Sequence, residues 1–138
     1  MTKLVDLHCH ILPYVDDGAL RTEESEQLLD MLYLQGVRVI CATPHLREKM
    51  FETPDEEIRA QFDELQAYAA RRSYAVRLFL SREYHCDRLT RERMERGSLL
   101  RMGQESGKGR AEHIQDHGDG GDQSEPGIEI VKKRDYRD

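Results

Sequence analysis

The strongest constraint on the fold is an alternation of short apolar segments with segments of helical periodicity. The apolar segments are bounded by glycine or polar residues, which predicts strands at residues 4–7, 37–42 and 76–80, the first of them buried. Helices are predicted at residues 23–35, from Thr53 onward and at residues 87–95. This β-α-β-α-β-α order is the pattern of parallel α/β proteins, open or barrel-shaped, so an α/β fold of about three βα units is expected.

The second predicted helix has the clearest start and the clearest buried face. Thr53 stands in a capping position, Pro54 at the first helical position and Glu56 three residues after the threonine, which together form a helix start signal. Apolar residues then recur at three- and four-residue intervals. They predict a buried stripe made of Ile58, Phe62, Leu65, Tyr68 and Ala69.

The composition changes after residue 103. From there the chain is rich in glycine and acidic residues and has few large apolar side chains before residue 128. Such a composition buries too little apolar surface to offset the entropy of ordering the chain. We therefore expect residues 1–103 to form the folded unit and residues 104–138 to be a mostly disordered tail.

Charge and cysteine usage exclude several classes of protein. A formal net charge of -6 gives no global attraction to nucleic acid, and the apolar segments are too short for membrane insertion. No signal-peptide pattern is present at the start, so a cytoplasmic location is expected. The three cysteines, Cys9, Cys41 and Cys86, are widely spaced and odd in number, which predicts reduced thiols and no thiolate zinc site.

Candidate metal ligands follow each of the three predicted strands. His8 and His10 lie two residues apart at the end of the first strand, so both rings point to the same side. His45 follows the second strand and Glu83 follows the third, and the carboxyl ends of parallel strands meet at one edge. A His-x-His pair alone is weak evidence, and Asp16 and Asp17 suit an ordinary turn. The shared placement nevertheless favours a metal site.

Several segments resemble one family. Residues 6–13 (Asp-Leu-His-Cys-His-Ile-Leu-Pro) and 15–19 (Val-Asp-Asp-Gly-Ala) resemble the opening of the PHP phosphoesterases, in particular the CpsB/CapC-type capsule tyrosine phosphatases. Residues 42–45 (Ala-Thr-Pro-His) are similar to the second motif of that family. Residues 50–54 resemble the same family, and residues 82–85 (Arg-Glu-Tyr-His) resemble its third-strand glutamate motif. The resemblance covers roughly residues 3–104 with compatible spacing.

This resemblance implies a PHP-type distorted (β/α) barrel, of which the chain would supply part. It implies two or three metal ions, commonly Mn2+, that activate a hydroxide to attack phosphotyrosine. By position, His8 and His10 would bind one ion, Glu83 would bridge, and Asp17 and His45 would serve neighbouring ions, with support from Asp16 and with Arg47 and His85 near the mouth. The implied partner is a phosphotyrosine protein, a bacterial tyrosine autokinase tail, in the control of capsule and exopolysaccharide synthesis. The oligomeric state stays open.

The chain departs from the family pattern after residue 104. Family members continue with a fourth strand that carries a glutamate, then with later histidine and Asp-x-His ligands and with arginines that hold phosphate. This pattern does not follow residue 104, and the later histidines of the chain, His113 and His117, do not follow a predicted strand. We therefore expect a truncated or frame-disrupted gene product of low activity. Three alternatives stay open: an inactive metal-binding fragment, a cysteine-dependent phosphatase using Cys41 and Arg47, and another His-x-His barrel hydrolase acting on amides or nucleobases.

Overall fold

Three βα units follow one another in the computed structural model, which describes residues 3–101. The elements are β1 (Leu4–Cys9), α1 (Thr22–Leu34), β2 (Val37–Ala42), β3 (His45–Leu46), α2 (Asp55–Arg71), β4 (Arg77–Leu80), β5 (Glu83–Tyr84) and α3 (Arg88–Glu95). Strands β1, β2 and β4 form a parallel sheet in the spatial order β1-β2-β4. The predicted α/β class with a parallel sheet is confirmed. The prediction for residues 104–138 lies outside the described residues.

Strands β3 and β5 were not predicted, because each contains two residues and no periodicity. They pair in parallel with His45 opposite Glu83. The amide of Glu83 also donates to the carbonyl of Pro44 at 2.9 Å, just before β3 begins. These bonds place the residues that follow β2 and the residues that follow β4 in fixed register.

The core lies between the sheet and the helices α1 and α2. Of the predicted α2 stripe, Ile58, Phe62, Leu65 and Ala69 are buried and Tyr68 is partly buried. The loop after β1 adds Ile11 and Leu12, each 1% exposed, which no periodicity in the sequence indicated. None of the described helices is long and apolar enough to cross a lipid bilayer.

The prediction that the first strand is buried was wrong. Leu4, Val5 and Leu7 of β1 are 48, 55 and 45% exposed. Within residues 3–101 this strand has a neighbour on one side only, β2, so it forms an edge of the sheet. An apolar sequence identifies a strand, but its burial depends on which elements cover it.

The prediction that Thr53 caps α2 was also wrong. The helix begins at Asp55 after an N-cap at Pro54, and no side chain caps it. The Thr53 hydroxyl donates instead to the carbonyl of Val15 at 2.9 Å, a tertiary acceptor that sequence reasoning could not see. Helix α3 does have a side-chain cap, because the carboxylate of Asp87 accepts the amide hydrogen of Thr90 at 2.9 Å.

Candidate metal centre

Three histidines surround one buried carboxylate at the carboxyl ends of the strands. Glu83 is 1% exposed, and its Oε2 lies 3.3 Å from His8 Nε2, 2.8 Å from His10 Nε2 and 3.4 Å from His45 Nδ1. The three rings come from β1 and the residue after it, and from β3. The parallel arrangement therefore brings the three predicted strand ends to one point, as the sequence indicated.

The two histidines of the His-x-His pair point to the same side of β1 and its continuation. Their Nε2 atoms are 3.3 Å apart, and both face Glu83. On the far side of the His8 ring, Nδ1 lies 3.0 Å from the hydroxyl of Thr43, which is fully buried. An Nδ1–H that donates to this hydroxyl leaves the Nε2 lone pair directed at the cluster.

Asp16 forms hydrogen bonds with two of the residues that carry the cluster's histidine rings. Its Oδ2 accepts from the His45 amide at 2.9 Å and lies 2.8 Å from His10 Nδ1, and its Oδ1 accepts from the Gly18 amide at 2.9 Å. Burial alone raises the pKa of Asp16, but the bonds from His10, His45 and Gly18 outweigh it and lower that pKa. The same bond to Asp16 raises the pKa of His10, against desolvation. Asp16 therefore fixes the orientation of one ring and of the backbone that carries another.

Gly18 closes the Asp16-Asp17-Gly18 turn against His10. A Cβ atom at position 18 would lie 2.2 Å from the His10 carbonyl oxygen and 2.5 Å from the His10 Cβ. No side chain fits into that space. The glycine is thus required by the close approach of the loop to a candidate ligand, and not by turn chemistry alone.

Among residues 3–101, two groups have ligand atoms within 4.8 Å of one another: His8, His10 and Glu83, and His10, Asp16, Asp17 and His45. Asp17 lies 3.4 Å from His45 Nε2 and is exposed, and desolvation lowers the pKa of His45. A lowered pKa favours the neutral ring, which is the form that binds metal. Imidazole nitrogens combined with carboxylate oxygens suit first-row divalent cations, so this donor set fits the expected metal.

A cavity of about 160 Å³ adjoins the cluster. Arg47 and His85, the further candidates from the sequence, both line it together with Met50 and Phe51. The ring of Phe51 stacks on His45 with centroids 5.2 Å apart. The cavity thus combines candidate ligands with a cation and an apolar wall.

The burial of Cys41 argues against the alternative of a cysteine nucleophile. Cys41 is 0% exposed in the core, and burial raises the pKa of its thiol to about 11. Arg47 lines the cavity, whereas Cys41 does not. A reactive thiolate needs exposure and a depressed pKa, and Cys41 has neither.

The structure brings all five predicted ligands, His8, His10, Asp17, His45 and Glu83, into one cluster. Sequence reasoning missed Thr43, Gly18 and Phe51, which contact those ligands. Thr43 immediately precedes Pro44-His45 and Gly18 follows two aspartates, so both were visible as neighbours of candidate ligands. Neither a threonine nor a glycine supplies an imidazole or a carboxylate to a metal ion.

A parallel α/β fold whose strand ends gather imidazoles and carboxylates is the arrangement typical of metal-dependent α/β enzymes. The chain belongs to the family described as "Capsular polysaccharide synthesis, CpsB/CapC", which it matches over residues 4–107.

Similar proteins agree with this membership. The chain is 47% identical over 66 residues to the tyrosine-protein phosphatase CpsB of Streptococcus pneumoniae, covering 48% of this chain and 27% of that protein. It is 37% identical over 62 residues to the tyrosine-protein phosphatase YwqE of Bacillus subtilis, covering 45% of this chain and 24% of that protein. The chain therefore spans about a quarter of the length of these relatives.

A solved structure from a study of YwqE from Bacillus subtilis and CpsB from Streptococcus pneumoniae, described as unique metal-dependent tyrosine phosphatases, has a similar fold. The TM-score is 0.63 at 26% sequence identity, over 72% of this chain and 40% of that one.

Proposed function

We propose that this chain contributes a metal-binding part of a protein-tyrosine phosphatase that hydrolyses phosphotyrosine in proteins. The observation that carries the proposal is the convergence of three imidazole nitrogens on one oxygen of the buried Glu83. A buried carboxylate is costly unless a cation or hydrogen-bond donors compensate its charge, and a divalent cation held together with the three imidazoles would do so. The relatives named as tyrosine-protein phosphatases support the reaction class.

His8 and His10 would hold one divalent cation, Glu83 would bridge to a second, and Asp17 and His45 would bind on the far side. We propose Mn2+, in two or three sites, because imidazole and carboxylate together suit it. Bound cations would supply an activated water nucleophile and would neutralise the phosphoryl oxygens. The ligand residues of this chain would determine where the positive charge of the cations lies.

The chain's own residues prepare the site in three ways. Asp16 accepts the Nδ1–H of His10, so Nε2 is directed at Glu83 and is available to a cation bound there. Thr43 does the same for His8. At the cavity, Arg47 and His85 would contact phosphate oxygens, while Met50 and Phe51 would pack against an aromatic ring of the substrate.

For the whole protein we propose a partial PHP-type barrel, with its folded unit in residues 1–103. The parallel order β1-β2-β4 and the strand-end site support this architecture. The proposed substrate is a tyrosine-phosphorylated protein, a bacterial tyrosine autokinase tail, in the control of capsule or exopolysaccharide synthesis. The family's description as capsular polysaccharide synthesis supports that role.

A second candidate is a chain that binds metal and catalyses nothing. It is favoured by the exposure of the site toward β1, where the His8 side chain is 43% exposed. Water that enters freely weakens every electrostatic interaction within the site. Metal binding and turnover therefore have to be measured separately.

The test measures Mn2+ binding by calorimetry and hydrolysis of a phosphotyrosine peptide for H8A, H10A and D17N. Each variant is expected to bind Mn2+ at least about tenfold more weakly, because each loses a ligand. The matched control is D63N, which removes an exposed carboxylate of α2 and should change neither quantity. Unaltered Mn2+ binding in both H8A and H10A would overturn the proposed site. Binding without hydrolysis would support the second candidate.

A further inference from the structure

Arg82 is a fully buried arginine directly beside the metal cluster. It is 0% exposed and precedes Glu83 in the chain. One terminal nitrogen pairs with Asp55 Oδ1 at 2.8 Å, and the other donates to the backbone carbonyl of His45 at 2.8 Å. A single guanidinium thus joins the start of α2 to the residue that carries a candidate ligand.

Packing alone does not explain this residue. A fully buried guanidinium loses its hydration, and the carboxylate of Asp55 at 2.8 Å offsets that loss. A well-packed apolar side chain would fill the same volume without the desolvation cost of a buried ion pair. The guanidinium's specific property is its fork of donors, which can hold two acceptors in fixed positions at once.

The position of the Arg82 guanidinium is fixed by the carboxylate of Asp55. Asp55 receives Arg82 on Oδ1 and Arg93 of α3 on Oδ2, at 2.8 and 2.9 Å. The carboxylate is therefore held between two cations from different elements. Helices α2 and α3 in this way anchor the donor that reaches His45.

We infer that Arg82 is a positioning residue for the metal cluster: it holds β3 and β5 so that the His45 ring and the Glu83 carboxylate face the same cation. Its side chain donates a hydrogen bond to the His45 carbonyl. Arg82 also immediately precedes Glu83, which lies opposite His45 in the β3–β5 pair. The inference rests on the proposed function, since it assumes that these two side chains bind metal.

The test uses the full 138-residue chain and Co2+ as a probe, because the visible absorption of bound Co2+ reports its coordination geometry as well as its affinity. In R82K, one ammonium point charge replaces the two-armed fork and cannot reproduce both contacts. We expect Co2+ to bind at least about tenfold more weakly, with a changed absorption band. The matched control is R91M, which removes an exposed arginine of α3 and should bind Co2+ like the unaltered chain.

A double variant separates positioning from stability. R82M/D55N replaces the buried guanidinium with an apolar side chain and keeps an amide oxygen at position 55 that can accept from Arg93, so the melting temperature of the chain should be preserved. It cannot restore the hydrogen bond to the His45 carbonyl, so weak Co2+ binding should persist in a folded protein. Full Co2+ affinity with an unchanged spectrum in R82K or in the double variant would overturn the inference while leaving the metal site intact. No Co2+ binding by the unaltered chain would overturn the site itself, and the positioning role with it.

Discussion

At the residue scale, two small side chains determine where the candidate ligands lie. Thr43 contacts His8 Nδ1 at 3.0 Å, and Gly18 leaves room for the backbone of His10. Both act through contacts with a histidine and not by binding a cation. The pattern is typical of metal sites, in which the groups behind the ligands fix ring orientation.

Gly18 gives the sharpest prediction at this scale. In G18A the new Cβ would lie 2.2 Å from the His10 carbonyl oxygen, so the loop or His10 must move. We expect Mn2+ affinity, measured by calorimetry, to fall by at least about tenfold. The control is G36A, where φ is +93° but no atom lies within 4 Å of the added Cβ. It should cost about 1 kcal/mol of stability and leave Mn2+ affinity unchanged. Equal affinity in both variants would contradict the role of the close approach.

The cysteines are predicted to differ in reactivity. Cys86 is exposed, whereas burial raises the pKa of Cys9 to about 12 and that of Cys41 to about 11. Iodoacetamide near neutral pH should therefore alkylate Cys86 and leave the other two unmodified, as read by peptide mass spectrometry. C41S should retain whatever phosphatase activity the chain has. Rapid labelling of Cys41, or loss of activity in C41S alone, would restore the thiol mechanism.

At the scale of elements, α2 is the clearest success of the sequence pattern. Its apolar residues face the core, and Phe62 is only 2% exposed. Its start differs from the prediction because the Thr53 hydroxyl has a partner in the loop after β1. Periodicity thus predicted which face is buried, while the cap depended on a tertiary contact.

Truncation of a buried side chain of the α2 stripe should lower the free energy of unfolding. F62A removes a buried ring and leaves a cavity, so we expect a loss of about 3–5 kcal/mol in the free energy of unfolding, measured by urea denaturation. L34A is the control, because Leu34 at the end of α1 is 84% exposed and its loss should stay within about 0.5 kcal/mol. Similar losses in both variants would show that α2 does not form the core described above.

At the scale of the whole molecule, the site is open on the side of β1. Two of its apolar residues, Val5 and Leu7, are exposed, and the adjoining His8 side chain is 43% exposed. The relatives are about four times as long as the segment they share with this chain. We therefore expect additional chain to improve the site by excluding water and adding ligands.

A chimera tests this expectation. Residues 1–101 are joined to the part of the Streptococcus pneumoniae relative that follows the residue equivalent to Arg101. We expect turnover of a phosphotyrosine peptide with saturating Mn2+ to rise more than about tenfold over the original chain. The same chimera carrying H10A should lose that gain, which links it to the cluster. Equal turnover by the original chain would show that its own residues already suffice.

The sequence by itself determined the order of the main elements, the buried face of α2 and the five candidate ligands at the strand ends. These follow from local periodicity and from the rule that the carboxyl ends of parallel strands share an edge. Only the tertiary structure decided that β1 is exposed, that Cys41 is buried, and that β3 and β5 align His45 with Glu83. It also decided the contact of Arg82 with His45. Each depends on pairing between residues far apart in the chain, and local sequence patterns do not specify such partners.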